Sequence, residues 1–183
     1  MILVNGKEVF NKADEMTLKQ YEDVNVILNN KHTDSTEKYI KVFKYFGVEE
    51  SYLDDLDFKD FADMVKEFSQ SEKVEVEKVK EFELNGYTYK AFDDEFKISV
   101  KDLKEIEKAF KNERHICQLM AIFFKRTDLT SKEHYAPAHI KEKAKLFRTL
   151  NAEFCVSYLF ELGKMFAKQL EDAKSDIVAT DNA

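Results

Sequence analysis

The dipeptide Asn85-Gly86, flanked by Phe82-Glu83-Leu84 and Tyr87-Thr88-Tyr89, constrains this chain more than any other stretch. Asn-Gly is the preferred pair for a two-residue type I′ turn, because both residues tolerate positive φ and the turn's twist matches that of the strands it joins. A two-residue loop sets Leu84 opposite Tyr87 and Phe82 opposite Tyr89. All four large apolar side chains then share one face, with Glu83 and Thr88 on the other. The same device recurs at the start, where Asn5-Gly6 separates Ile2-Leu3-Val4 from Lys7-Glu8-Val9. Pairing Ile2 with Val9 builds a second, thinner apolar face.

Outside these two hairpins the pattern is helical. One Pro and four Gly in 183 residues leave few breaks, and apolar residues recur at three- and four-residue intervals. Thr17 with Gln20 forms a capping box ahead of Leu18, Tyr21, Val24 and Ile27, and this helix ends near Asn29-Asn30. The cluster Asp34-Ser35-Thr36-Glu37 opens a second helix carrying Tyr39, Ile40, Val42, Phe43 and Phe46, with Gly47 as its stop. After an acidic connection from Glu49 to Asp55, Asp57 caps a third helix, whose Phe58, Phe61, Met64, Val65 and Phe68 make a one-sided apolar stripe. The fold class expected is therefore mainly α with two short β-hairpins, an α+β protein.

The plan then repeats. Ser99 with Asp102 caps a helix bearing Val100, Leu103, Ile106 and Phe110. At the constant offset that relates Ser99 to Thr17, Ile106 matches Val24, Phe110 matches Leu28 and Asn112 matches Asn30. A strongly apolar helix from Ile116 to Phe124 follows, then a segment from Thr127 to Leu150 that the first copy lacks. The expected organisation is two related hairpin-plus-helices units, residues 1–70 and 82–171, joined by a linker or strand at 71–81 and followed by a disordered tail at 172–183. The stretch Glu153 to Leu170 is the most apolar, with Phe154, Cys155, Tyr158, Leu159 and Phe160 nearly all round the helix, which implies burial on two sides or an interface.

Charge and motifs exclude more functions than they suggest. Thirty-six acidic against 29 basic residues give a net charge of −7, the wrong sign for neutralising phosphates, so neither nucleic acid nor an anionic membrane is an expected partner. The N-terminal residues lack the features of a signal peptide and no stretch has the apolar length of a membrane span, so a cytosolic protein is expected. Cys117 and Cys155 lie within apolar helical runs and read as small buried thiols. His32, His115, His134 and His139 show no metal-ligand spacing and read as surface or loop residues. No phosphate loop, nucleophile elbow or calcium loop occurs, and the acidic clusters at Glu49-Glu50, Asp54-Asp55-Asp57 and Asp93-Asp94-Glu95 read as solvated loop charge. The expectation is a non-enzyme without cofactor or metal.

What remains is apolar surface. Sixteen Phe and eight Tyr fill a core, and some of that aromatic surface is expected to dock another protein. The residues chosen for such contact are Phe123, Phe124, Tyr158 and Phe160.

The order of elements resembles that of small proteins from tailed bacteriophages, the tail assembly chaperones and minor virion-assembly proteins. The resemblance is carried by Thr17 to Tyr21, Tyr39 to Gly47, Asp57 to Phe68, Phe82 to Tyr89, Ser99 to Phe110 and the Phe-rich helix near Phe154 to Phe160. It covers most of the chain through structural motifs, and the insert around His134 to His139 departs from it. It implies a protein in the cytoplasm of a bacterial host that binds apolar helical segments of phage structural or tail proteins. The alternative it implies is a component retained in the virion, as a ring, tail or internal head protein. Self-association is expected among its contacts.

Overall fold

The computed structural model describes residues 1–69, 81–91, 104 and 116–164. The protein is α+β, mainly helical, with two small antiparallel sheets.

Strands β1 (Ile2–Val4) and β2 (Lys7–Val9) pair with Ile2 opposite Val9. Strands β3 (Glu81–Leu84) and β4 (Tyr87–Ala91) pair with Phe82 opposite Tyr89 and Leu84 opposite Tyr87. Both registers follow from the turns. Asn5 and Gly6 have φ of 48° and 71°, Asn85 and Gly86 of 53° and 76°, which is the positive pair that a type I′ turn requires. Tyr89 is fully buried, whereas Tyr87, expected on the same apolar face, is exposed. Tyr87 lies at the turn end of its strand, and its ring carries the Arg126 guanidinium at 4.0 Å.

Helix α1 (Leu18–Leu28) starts at the Thr17–Gln20 capping box and ends at Asn29. Helix α2 (Ser35–Tyr45) is capped by Asp34, whose carboxylate accepts from the Glu37 amide at 2.8 Å, and stops at Gly47 with φ of 88°. The acidic connection that follows contains a short helix, α3 (Glu50–Asp54), which the sequence pattern did not signal because one turn and a half carries a single buried residue, Leu53. Helix α4 (Phe58–Ser69) comes next, with Asp57 accepting from the Asp60 amide at 2.8 Å. Phe43 of α2 meets Phe61 and Phe68 edge-on, so α4 is seated through its middle and far end, and Phe58 at its start stands clear of the core.

In the second half, the apolar helix α5 (Ile116–Phe123) passes directly into strand β5 (Phe124–Arg126). Phe124, expected as the last helical residue, is the first residue of this strand and lies opposite Ala91, making β5 the third strand of the sheet β3-β4-β5. Helices α6 (Ser131–His134) and α7 (Pro137–Phe147) follow. The last described helix, α8, covers 152–164. Its start is capped by Asn151, which accepts from the Phe154 amide at 3.1 Å. Of the helix expected at Ser99 to Phe110 only Lys104 is described, and it is helical; His115, the tail at 172–183 and residues 71–80 of the linker expected at 71–81 lie outside the described residues, while Glu81 opens β3.

Two apolar cores result. One gathers β1, β2 and residues of α1 to α4 around Val9, Val42 and Phe43; the other gathers Tyr89, α5, Phe124, Phe147 and Cys155. Helix α1 belongs to both, giving Val24 to the first and Leu18 to the second. Its opening amides, which no helix can satisfy from within, are met from the far end of the chain. Leu18 N–H donates to the Leu150 carbonyl at 2.7 Å and Lys19 N–H to the Arg148 carbonyl at 3.0 Å. Returning bonds run from Ala152 N–H to the Met16 carbonyl at 2.9 Å and from Glu153 N–H to the Ala13 carbonyl at 3.1 Å.

Candidate functional site

The polar chemistry of the described residues is concentrated at the two ends of α5, a helix from which six of eight side chains are buried. At its start, the Cys117 amide donates to Glu22 Oε1 at 2.9 Å, and Arg148 Nε approaches Glu22 Oε2 at 3.4 Å. Glu22 belongs to α1 and is fully buried, and that burial raises its carboxyl above the usual carboxylate range against the opposing pull of the Cys117 amide and Arg148.

At the other end, where helix becomes strand, Lys143 Nζ donates to the Ala121 carbonyl at 2.7 Å, to His134 Nδ1 at 2.8 Å and, more weakly, to the Phe124 carbonyl at 3.5 Å. His134 Nε2 lies 3.0 Å from the Ile122 carbonyl. A carbonyl can only accept, so the ring carries its proton on Nε2 and offers the Nδ1 lone pair to Lys143. Burial lowers the Lys143 amine to about 7, with Arg126 adding repulsion, and lowers His134 to about 4, with Lys143 adding repulsion. A carboxyl group thus meets the free amides at the start of α5 and an amine the free carbonyls at its end.

Sequence reasoning missed all three of these residues. His134, expected at the surface, is fully buried because the insert folds α6 back over the end of α5. Glu22 and Lys143 were hidden among ordinary helical surface charges. The available signal was position: Lys143 lies on the same stripe as Ile140 and Phe147, and Glu22 one turn after Leu18. His139 is half-buried, and its Nε2 finds no hydrogen-bond partner among the described residues. His32 is exposed as expected.

This arrangement is built to hold backbone. Glu22 and Lys143 point at main-chain groups of α5, and neither Lys143 nor His134 presents surface to solvent. Cys117 and Cys155 are free and buried, and burial pushes both thiols up to about 12, far from the thiolate form that reacts. No group of three or more His, Cys, Asp or Glu side chains among the described residues could hold a metal ion. No described helix is long and apolar enough to cross a membrane.

The four residues expected to meet a partner divide. Phe123 and Phe124 are 1% and 0% exposed and are core residues, which corrects their assignment to an interface. Phe124 is enclosed by Phe82 at 5.0 Å, Phe154 at 5.9 Å and Tyr158 at 4.3 Å between ring centroids. Much of the aromatic surplus is therefore spent on an internal cluster. Tyr158 is half-buried against it, and Phe160, on the outer side of α8, is 65% exposed with the Lys164 ammonium 4.4 Å from its ring centre. Phe58 is likewise exposed, at 85%, although the apolar stripe of α4 had placed it inward.

No family model, curated protein or solved structure matches this chain.

Proposed function

We propose that this chain is a non-enzymatic phage assembly protein that binds apolar helical segments of a structural, tail-type protein. The observation that carries the reading is the exposure of large aromatic side chains on the outside of helices whose inner faces are already seated. Phe160 stands out from α8 while Cys155 and Leu162 of the same helix are buried, so its ring is surplus to the core. Exposed aromatics beside half-buried ones, as at Tyr158 and Phe160, are the composition that protein interfaces favour. The other side of the support is chemical: the buried ionisable groups Glu22, Lys143 and His134 are each turned toward the main chain or one another, leaving apolar surface as the feature available to a partner.

Co-expression with the tail tape-measure protein and its neighbouring structural proteins, followed by pull-down, tests the reading. Capture of one of them, weakened by Phe160→Ala without loss of helical signal, is the expected result. Failure to retain any of them abandons it.

A further inference from the structure

The negative charge of this protein is not spread evenly. From Glu49 to Glu67, through α3 and α4, eight carboxylates face two lysines, a local net charge of −6 in a chain of net −7. All eight carboxylates belong to exposed residues. In their midst stands Phe58, 85% exposed, the most exposed of the large apolar residues among those described.

Phe58 is the first residue of the α4 stripe. Phe61 and Phe68 of that stripe rest on Phe43, and Met64 and Val65 pack beside them, but Phe58 projects past this support with Asp54, Asp55 and Asp57 just before it and Asp60 just after. Leaving a whole phenyl ring in water forgoes about 2 kcal/mol of burial, and nothing in the first core requires a Phe here. From this juxtaposition we infer that the α3–α4 face is a docking surface for a basic amphipathic helix of a partner protein, with Phe58 entering its apolar side and the surrounding carboxylates meeting its Lys and Arg rim. The inference rests on the reading of the chain as a binder of helical segments and gives that reading a partner chemistry.

The sign of the charge selects among occupants. A second copy docking through the same face would oppose two surfaces of −6, and anionic lipid or nucleic acid would be repelled by it. A helix with an apolar stripe flanked by Lys and Arg satisfies both features at once, in the groove-binding mode by which amphipathic helices are recognised.

The probe is a labelled peptide of about 18 residues built from Leu and Lys at helical period. Two controls accompany it, one with Glu in place of Lys and one with Leu and Lys alternating. Fluorescence anisotropy on the full chain should show the helical Leu/Lys peptide bound about tenfold or more above either control, with affinity falling as salt rises. Phe58→Ala should weaken binding about tenfold while circular dichroism stays unchanged, since the side chain is 85% exposed. The triple change Asp55→Asn, Asp60→Asn, Asp63→Asn should flatten the salt dependence.

No binding of the Leu/Lys peptide, equal binding of the Glu peptide, or indifference to Phe58→Ala each overturns the inference. So does light scattering that shows a dimer dissolved by Phe58→Ala, which would make this face a self-contact. The two proposals fail separately. If a structural protein is captured equally by the wild type and Phe58→Ala, the assembly reading stands and this surface falls. If the peptide depends on Phe58 but no structural protein is captured, the reverse holds.

Discussion

Lys143 Nζ lies 2.8 Å from His134 Nδ1, with both side chains sealed from solvent at the point where α5 turns into β5. Two bases at that distance cannot both be protonated without strong repulsion, so the ring stays neutral and accepts while the amine donates. The folded protein therefore holds each proton less tightly than the unfolded chain does. The unfolded chain carries more protons from about 4 to 6.5 through His134 and from about 7 to 10.5 through Lys143, so these two groups make stability rise with pH in both windows, opposed above about 9 by the buried thiols Cys117 and Cys155. Burial of Glu22 acts in the opposite sense, its raised carboxyl pKa costing stability as pH climbs through the acid range. Lys143→Met is expected to flatten the upper window, read from urea midpoints at several pH values between about 7 and 9, below the range in which the thiols titrate. A wild-type slope retained by the variant would show that the amine is not the titrating group.

Glu22 poses the complementary case at the start of α5. Glu22→Gln keeps an oxygen for the Cys117 amide and drops a charge that is costly to bury, so it should change stability by less than about 1 kcal/mol. Glu22→Ala strands that buried amide, while the part-exposed Arg148 can turn to water, and should cost about 2–3 kcal/mol. Equal losses from the two changes, measured by chemical denaturation, would mean that the charge and not the hydrogen bond matters here.

The thiols offer a check on burial itself. With Cys117 and Cys155 both pushed up to about 12, an aromatic disulfide reagent at neutral pH should modify neither in the folded protein and both in urea, with the native rate set by unfolding. Rapid reaction of one thiol before denaturation would place that part of the second core in contact with water.

The legible parts of this fold are those fixed by neighbouring residues. Asn-Gly at Asn5-Gly6 and Asn85-Gly86 specifies turn, register and apolar face together, and the Thr17–Gln20 capping box specifies where α1 begins. The parts that were not legible depend on residues far apart in sequence. Phe124 leaves the helical pattern for a strand because Ala91 of β4 offers it a free edge. Lys143 occupies a core position because the carbonyls of Ala121 and Phe124 need a donor there, a need that no local pattern announces. For the candidate interface the same limit applies: an aromatic count cannot say which rings the core will take, and it took Phe123 and Phe124 while leaving Phe58 and Phe160 outside.

The turn residues carry their own prediction. Gly86 has φ of 76° with nothing within 4 Å of where a Cβ would stand, so Gly86→Ala meets conformational strain and no clash. The expected loss is about 1–2 kcal/mol. Gly6→Ala, at φ of 71° with equally open surroundings, should lose a similar amount. Thermal melts of the two variants test this, and a loss well above that range would require a contact of the turn that the backbone geometry does not supply.

Phe124 and Phe160 make the sharpest contrast between core and surface, since the sequence grouped them and the structure separates them. Phe124 is fully buried within 6 Å of three aromatic centroids, and its truncation removes both transfer energy and ring-edge contacts while opening a cavity. Phe124→Ala should cost about 3–5 kcal/mol, a large share of an ordinary domain's stability. Phe160 is 65% exposed, with the Lys164 ammonium against its ring, a contact worth at most about 1 kcal/mol at the surface. Phe160→Ala should therefore leave the denaturation midpoint within about 0.5 kcal/mol of the wild type and act on partner capture alone. If instead Phe160→Ala destabilises the chain as strongly as Phe124→Ala, the outer face of α8 is part of the folded core, and the case for an interface there is lost.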